Sequence, residues 1–179
     1  PTEFAGVKGG MVVHVGADEA DRTAAFRLNE RFVVQGLVRD HDRVRQIRAS
    51  LRERKLLGPV TVIPWTGGRL PYAGHLVNVL LVESPKDVAA GEIMRVLAPL
   101  GVAYVKSGGA WAKRVKTWPA DIDEWTHYLH GPDNNAVAED TRIAPPRHMQ
   151  WVAAPRWARS HDHLASISAA VTAAGRMFY

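Results

Sequence analysis

A doubly wound α/β fold, with a mostly parallel sheet covered on both faces, is what residues 1–106 predict. Three observations carry that reading. Five short apolar runs recur along the segment, helical patterns or a long crossover separate them, and the runs are near-continuously apolar rather than alternating. Strands buried on both faces read that way, and parallel pairing demands crossover connections. Right-handed crossovers then wind the sheet in two directions.

The first strand is Met11-Val12-Val13-His14-Val15, ended by Gly16. Asp18 to Leu28 is helix-compatible, with Ala20, Ala24, Ala25 and Leu28 at helical spacing. Phe32 to Val38 reads as the second strand. Asp40 then caps a helix whose apolar stripe is Val44, Ile47 and Leu51, and Gly58-Pro59 stops it. Val60 to Ile63 is the third strand. A turn-rich loop, Pro64 to Gly74, leads to the fourth, His75 to Val82. Ser84-Pro85 opens a helix in which Val88, Ile93, Val96 and Leu97 face inward, and Pro99-Leu100-Gly101 turns into the fifth strand, Val102 to Val105.

After Lys106 the pattern breaks at Ser107-Gly108-Gly109, and Trp111, Trp118, Trp125, Trp151 and Trp157 follow. The spacing of Ile122, Trp125 and Leu129 predicts a helix over Pro119 to His130. Residues 131–147 read as an extended loop, and Ser166 to Tyr179 as two short strands around an Ala-Gly turn. The expected divisions are an α/β domain at 1–106, a Trp/Pro-rich extension at 107–165 packed on that domain through its tryptophans, and a short β segment at 166–179. Two strands alone cannot bury a face.

With 46% hydrophobic and 23% charged residues, the 179-residue chain is of globular composition and long enough for one α/β core plus an appendage. No apolar run approaches the roughly 18–20 residues of a membrane span. The start carries neither a basic nor an apolar leader region, so no signal peptide is expected, and the chain reads as a fragment or a processed product. With no cysteine, disulfides, zinc–thiolate sites and thiol nucleophiles are excluded. The net charge of +5 is concentrated between Arg39 and Lys55. Carboxylates interrupt that run and no aromatic lies within it to stack on bases, so a solvated helix face is the expected reading and a nucleic-acid interface the weaker alternative.

The order of motifs adds a resemblance. Val12 to Ala20 is a strand running into a glycine turn, Arg69-Leu70-Pro71-Tyr72-Ala73 precedes the fourth strand, and Glu92-Ile93-Met94-Arg95-Val96-Leu97-Ala98-Pro99-Leu100-Gly101 leads into the fifth. These segments resemble class I methyltransferases, whose last motif is a run like Arg-Val-Leu-Lys-Pro-Gly-Gly. The resemblance implies a Rossmann-like sheet that binds S-adenosylmethionine at the carboxyl ends of its strands. Carried over residue by residue, it places the cofactor positions at Gly16, Asp18, Val38, Asp40 and Thr66. Gly16 alone remains of several glycines, with Asp18 and Ala20 at later glycine positions. The acidic residue expected to hold the ribose falls at Val38, with Asp40 two residues on as a substitute, and the acidic residue facing adenine falls near Thr66. Missing acceptors of this kind weaken binding by about 1–3 kcal/mol each. The departures therefore predict a substantially eroded cofactor site.

The tail has a resemblance of its own. Asp121 to His130, Pro145 to Trp151 and Ser160-His161-Asp162-His163 resemble the junction in exported planctomycete-type proteins, where a methyltransferase-like domain precedes a PQQ-like β-propeller. That implies a propeller of the same or a parent chain as partner, and a periplasmic or exported location. His127 with His130, and His161 with His163, have spacings that suit a metal pair, but no third ligand is identifiable and no metal is expected. Ser160-His161-Asp162 is adjacent in sequence, which is not how a catalytic triad is assembled. No catalytic residue is identifiable. The expected function is a structural or interaction module; the alternatives are an active S-adenosylmethionine-dependent methyltransferase and, more weakly, a basic nucleic-acid-binding domain.

Overall fold

The computed structural model describes residues 4–141, 170–173 and 176–178. The chain divides into two units, Pro1–Trp118 and Pro119–Tyr179.

The first unit holds a six-stranded sheet built from β1 (Gly10–Val15), β2 (Phe32–Val38), β3 (Val60–Pro64), β4 (Val77–Val82), β5 (Leu97–Ser107) and β6 (Ala110–Val115). The spatial order is β3-β2-β1-β4-β5-β6; the first five strands are parallel and β6 runs antiparallel to β5. Strand order reverses between β1 and β4, as the doubly wound reading requires. Helices α1 (Ala20–Ala25) and α2 (His41–Glu53) belong to one side of the sheet, where Phe26, Val44, Ile47 and Leu51 cluster with Val12, Val34, Val38, Val79 and Leu81. Helix α3 (Ala90–Val96) and the loop before β4 cover the other, where Trp65, Leu70, Tyr72, Ile93 and Val96 cluster with Val13, Val15, Leu37 and Leu80. The period of two along each strand assigns its residues alternately to these cores.

The apolar stripe of α2 is buried as expected, and Asp40 caps the helix by accepting from the amides of Asp42 (2.7 Å) and Arg43 (2.9 Å). Three elements differ from the sequence reading. The first helix is shorter than Asp18 to Leu28, because Phe26 closes it and turns into the core. The segment after Ser84 begins as a single 3-10 turn, Pro85–Asp87, and becomes α-helical only at Ala90, while Leu97 already belongs to β5. The Gly108-Gly109 break is a tight hairpin that returns the chain as β6.

In the second unit, Pro119 to His130 is not helical. Asp123 accepts from the amides of Glu124 (2.7 Å) and Glu139 (2.9 Å) and from His130 Nε2 (2.5 Å), while Thr126 N–H donates to the His130 carbonyl (2.9 Å). Such local side-chain-to-backbone bonds offer the chain an alternative to the helical ladder. Trp125 pairs instead with Thr172: its amide donates to Thr172 Oγ1 (2.8 Å) and its carbonyl accepts from the Thr172 amide (2.6 Å). Thr172 lies in β7 (Val171–Ala173), which pairs antiparallel with β8 (Arg176–Phe178), the two short strands expected at this end. His161, His163 and the last two tryptophans of the tail, Trp151 and Trp157, lie outside the described residues.

Candidate functional site

The carboxyl ends of β1, β2, β3 and β4 form the rim at which such a sheet binds ligands. Gly16, Asp18, Asp40 and Thr66 all follow these strands and are exposed. Val38 is not with them. Its side chain is 4% exposed and packs with Val34, Val44 and Val62 on the helix-covered side, so a change of residue type there would not by itself present an acceptor to the rim.

The chain's own groups engage much of the remaining rim. Gly16 adopts φ +88, and a Cβ built there would lie 3.0 Å from Glu83 Cβ. Both features demand glycine for internal reasons. The amides of Gly16 and Ala17 both donate to the Leu37 carbonyl, at 3.1 and 3.2 Å. They are directed along the sheet towards β2. The Asp40 carboxylate serves as the cap of α2, and the two amides it accepts hold it below the usual carboxylate range. The Asp18 carbonyl accepts from Arg43 Nε at 2.5 Å. From the end of β2, Arg39 donates to the Thr66 carbonyl (3.3 Å) and ion-pairs with Asp87, just beyond β4. Since β1 lies between β2 and β4, this bridge joins the regions beyond the two strands that flank β1.

Two further groupings were not anticipated. His14 is fully buried in the first apolar run, with Nδ1 3.1 Å from Thr23 Oγ1 and Nε2 3.4 Å from Glu83 Oε1. Glu83, 13% exposed at the end of β4, also meets Arg22 (2.5 Å) and Lys106 (3.3 Å). Burial pushes the His14 imidazole below its ordinary pKa, against the opposing pull of Glu83. A histidine inside Val-Val-His-Val was the signal available in the sequence; its partners, from α1 and the end of β4, were not. Beside this cluster a cavity of about 470 Å3 is lined by Arg22, Ala25, Phe26, Leu81, Tyr104 and Trp111.

The second grouping joins two of the three segments that carry the resemblance. Glu92 accepts from the Leu70 amide (2.7 Å) and from Arg95 Nε (2.8 Å), and Arg95 donates to the carbonyls of Tyr72 (2.8 Å) and Leu70 (3.1 Å). Arg95 holds the Glu92 carboxyl below its ordinary range. The clamp fixes the loop before β4 over α3, and it is structural: its donors and acceptors satisfy one another. His127 and His130 form a backbone bridge in a turn, and among the described residues no cluster of three or more His, Asp or Glu side chains could hold a metal.

No protein-family model and no curated protein matches the sequence. Solved structures do. One is a Methanococcus maripaludis protein assigned to the S-adenosyl-L-methionine-dependent methyltransferases, with TM-score 0.51 and 15% identity over 58% of this chain and 51% of that one. Another is the [4+2]-cyclase SpnF, with TM-score 0.49 and 21% identity over 54% of this chain and 38% of that one. A third is an S-adenosylmethionine-dependent methyltransferase from Aquifex aeolicus, with TM-score 0.46 and 16% identity over 54% and 55%. The first unit therefore has the Rossmann-like α/β fold of the methyltransferases, and the chain spans about half the length of the first of these structures.

Proposed function

We propose that this chain is a methyltransferase-like module that serves as a structural or interaction domain and does not use S-adenosylmethionine for catalysis. One observation carries the reading: the strand-end groups that would meet the cofactor are engaged within the chain. The amides of Gly16 and Ala17 go to Leu37, the Asp40 carboxylate caps α2, Val38 faces the core and Arg39 bridges Thr66 to Asp87. The residues present do not fit the group. The β7–β8 ribbon supports the propeller reading of the tail, since two strands need a larger sheet to bury a face.

Isothermal titration with S-adenosylmethionine and S-adenosylhomocysteine tests this. Loss of two acceptors, at about 1–3 kcal/mol each, turns a micromolar site into one of about millimolar Kd or weaker. Low-micromolar binding of either compound would overturn the reading in favour of an active methyltransferase, and Asp18 and Asp40 would then be the first contacts to substitute.

A further inference from the structure

The two edges of the six-stranded sheet are finished differently. At β3, Arg48 reaches from α2 and donates twice to the Val62 carbonyl (3.0 and 2.7 Å), and the strand ends in Pro64. That edge is closed by the chain itself. At the other end β6 is exposed along all six residues. Its ladder with β5 begins at Gly101, whose carbonyl accepts from the Lys116 amide at 2.9 Å. Antiparallel pairs alternate between bonded and non-bonded. With this register, Arg114, Ala112 and Ala110 bond to Ala103, Val105 and Ser107, while Trp111, Lys113 and Val115 turn their amides and carbonyls outward.

The side chains on this edge have a definite character. Residues 98–118 contain Lys106, Lys113, Arg114 and Lys116 and no carboxylate. Lys106 is engaged with Glu83, and Lys116 with the carbonyls of Met94 and Leu97. The side chains of Lys113 and Arg114 are exposed and form no ion pair among the described residues. They point to opposite faces because their positions differ by one. Trp111 shares a face with Lys113 and remains 40% exposed at the aromatic-lined cavity.

We infer that β6 is a docking edge for an extended acidic peptide segment of a partner, which adds as a seventh strand. The backbone of such a segment meets the outward groups of Trp111, Lys113 and Val115. Its carboxylates lie opposite Lys113 and Arg114 on the two faces, and an aromatic residue stacks on Trp111. Running antiparallel to β6, the partner reads apolar, acidic, acidic, small, aromatic. A nucleic acid fits less well, because the edge offers one exposed aromatic and a row of backbone donors and acceptors that match another backbone. This inference concerns a different surface from the strand-end rim, and its test does not depend on cofactor binding.

The probe is fluorescein-labelled Gly-Val-Glu-Asp-Ala-Phe-Gly-amide, with its reversed sequence for the parallel orientation, titrated by anisotropy against the full chain. At least one orientation is expected to bind with Kd below about 1 mM and to weaken with salt. The double variant Lys113→Glu, Arg114→Glu is expected to lose about tenfold or more in affinity. Lys113→Pro removes an outward amide that β5 does not use, so it should abolish binding while leaving the melting temperature within a few degrees. N-methylation of the peptide at its Asp should do the same from the other side. Failure of both orientations to bind at about 1 mM, or equal binding of the N-methylated peptide, would overturn the inference. Tighter binding of a thymidine 20-mer would overturn it too, as would a chain dimer in sedimentation that Lys113→Pro dissociates. Titration of S-adenosylmethionine into the same preparation reports separately on the cofactor reading.

Discussion

Val38 shows how much a single side-chain direction decides. Its position at the carboxyl end of β2 aligns it with a ribose-binding acid, but the strand's period sends it into the core beneath α2. Val38→Asp is therefore expected to destabilise the fold by about 3–5 kcal/mol, the range for an uncompensated buried charge, without creating cofactor affinity. Denaturant midpoints and calorimetry on the same variant check both halves; recovered S-adenosylmethionine binding would contradict the placement. His14 makes a second residue-scale case. Its folded pKa is depressed by burial relative to the ordinary 6.5, so the unfolded chain takes up the proton first. The stability tied to its neutral ring is fully present above about pH 6.5 and declines as pH falls below it. Urea midpoints between pH 8 and 5 should show this acid-side decline in the native chain and a shallower one in His14→Gln. Equal declines in both would assign the effect elsewhere.

At the scale of elements, the first part of β5 carries a local conflict. Leu100 adopts φ +61 and is 56% exposed, in the segment whose resemblance is to a Pro-Gly-Gly turn. Left-handed backbone costs a branched residue about 1–2 kcal/mol, and glycine returns part of that through the entropy of the unfolded chain. Leu100→Gly should accordingly stabilise the chain by about 0.5–1 kcal/mol, a rise of a few degrees in thermal midpoint. A fall would mean that the Leu100 side chain packs more than its exposure indicates. The segment from Pro119 to His130 teaches the reverse lesson. Ile122, Trp125 and Leu129 have helical spacing, yet Asp123 and Thr172 bind the backbone that a helix would need. Apolar periodicity was legible there; the competition from Asp123 was a matter of three-dimensional partners. For β6, by contrast, the run Ala-Trp-Ala-Lys-Arg-Val has no apolar continuity, so nothing in its pattern announced a strand.

For the molecule as a whole, the weak cofactor binding proposed above has a second readout. A ligand that binds only the folded state at a concentration equal to its Kd adds about 0.4 kcal/mol to stability, so 1 mM S-adenosylmethionine should hardly move the melting temperature. A shift of many degrees would point to a functional site. The amino-acid sequence by itself determined the five parallel strands, the capped second helix and the doubly wound class, because burial on both faces forces continuous apolar runs and crossovers. It also placed Gly16, Asp18, Asp40 and Thr66 at strand ends, because a motif's order fixes where each turn falls. Only the tertiary structure decided what those groups do. The engagement of the Gly16 and Ala17 amides by Leu37, the Arg39 bridge to Asp87 and the charge cluster around Glu83 each join residues distant in sequence. Local propensity carries no information about such pairings; the crossing of strands brings them together, and the β6 edge, unpaired among the described residues, exists only once five strands have found their order.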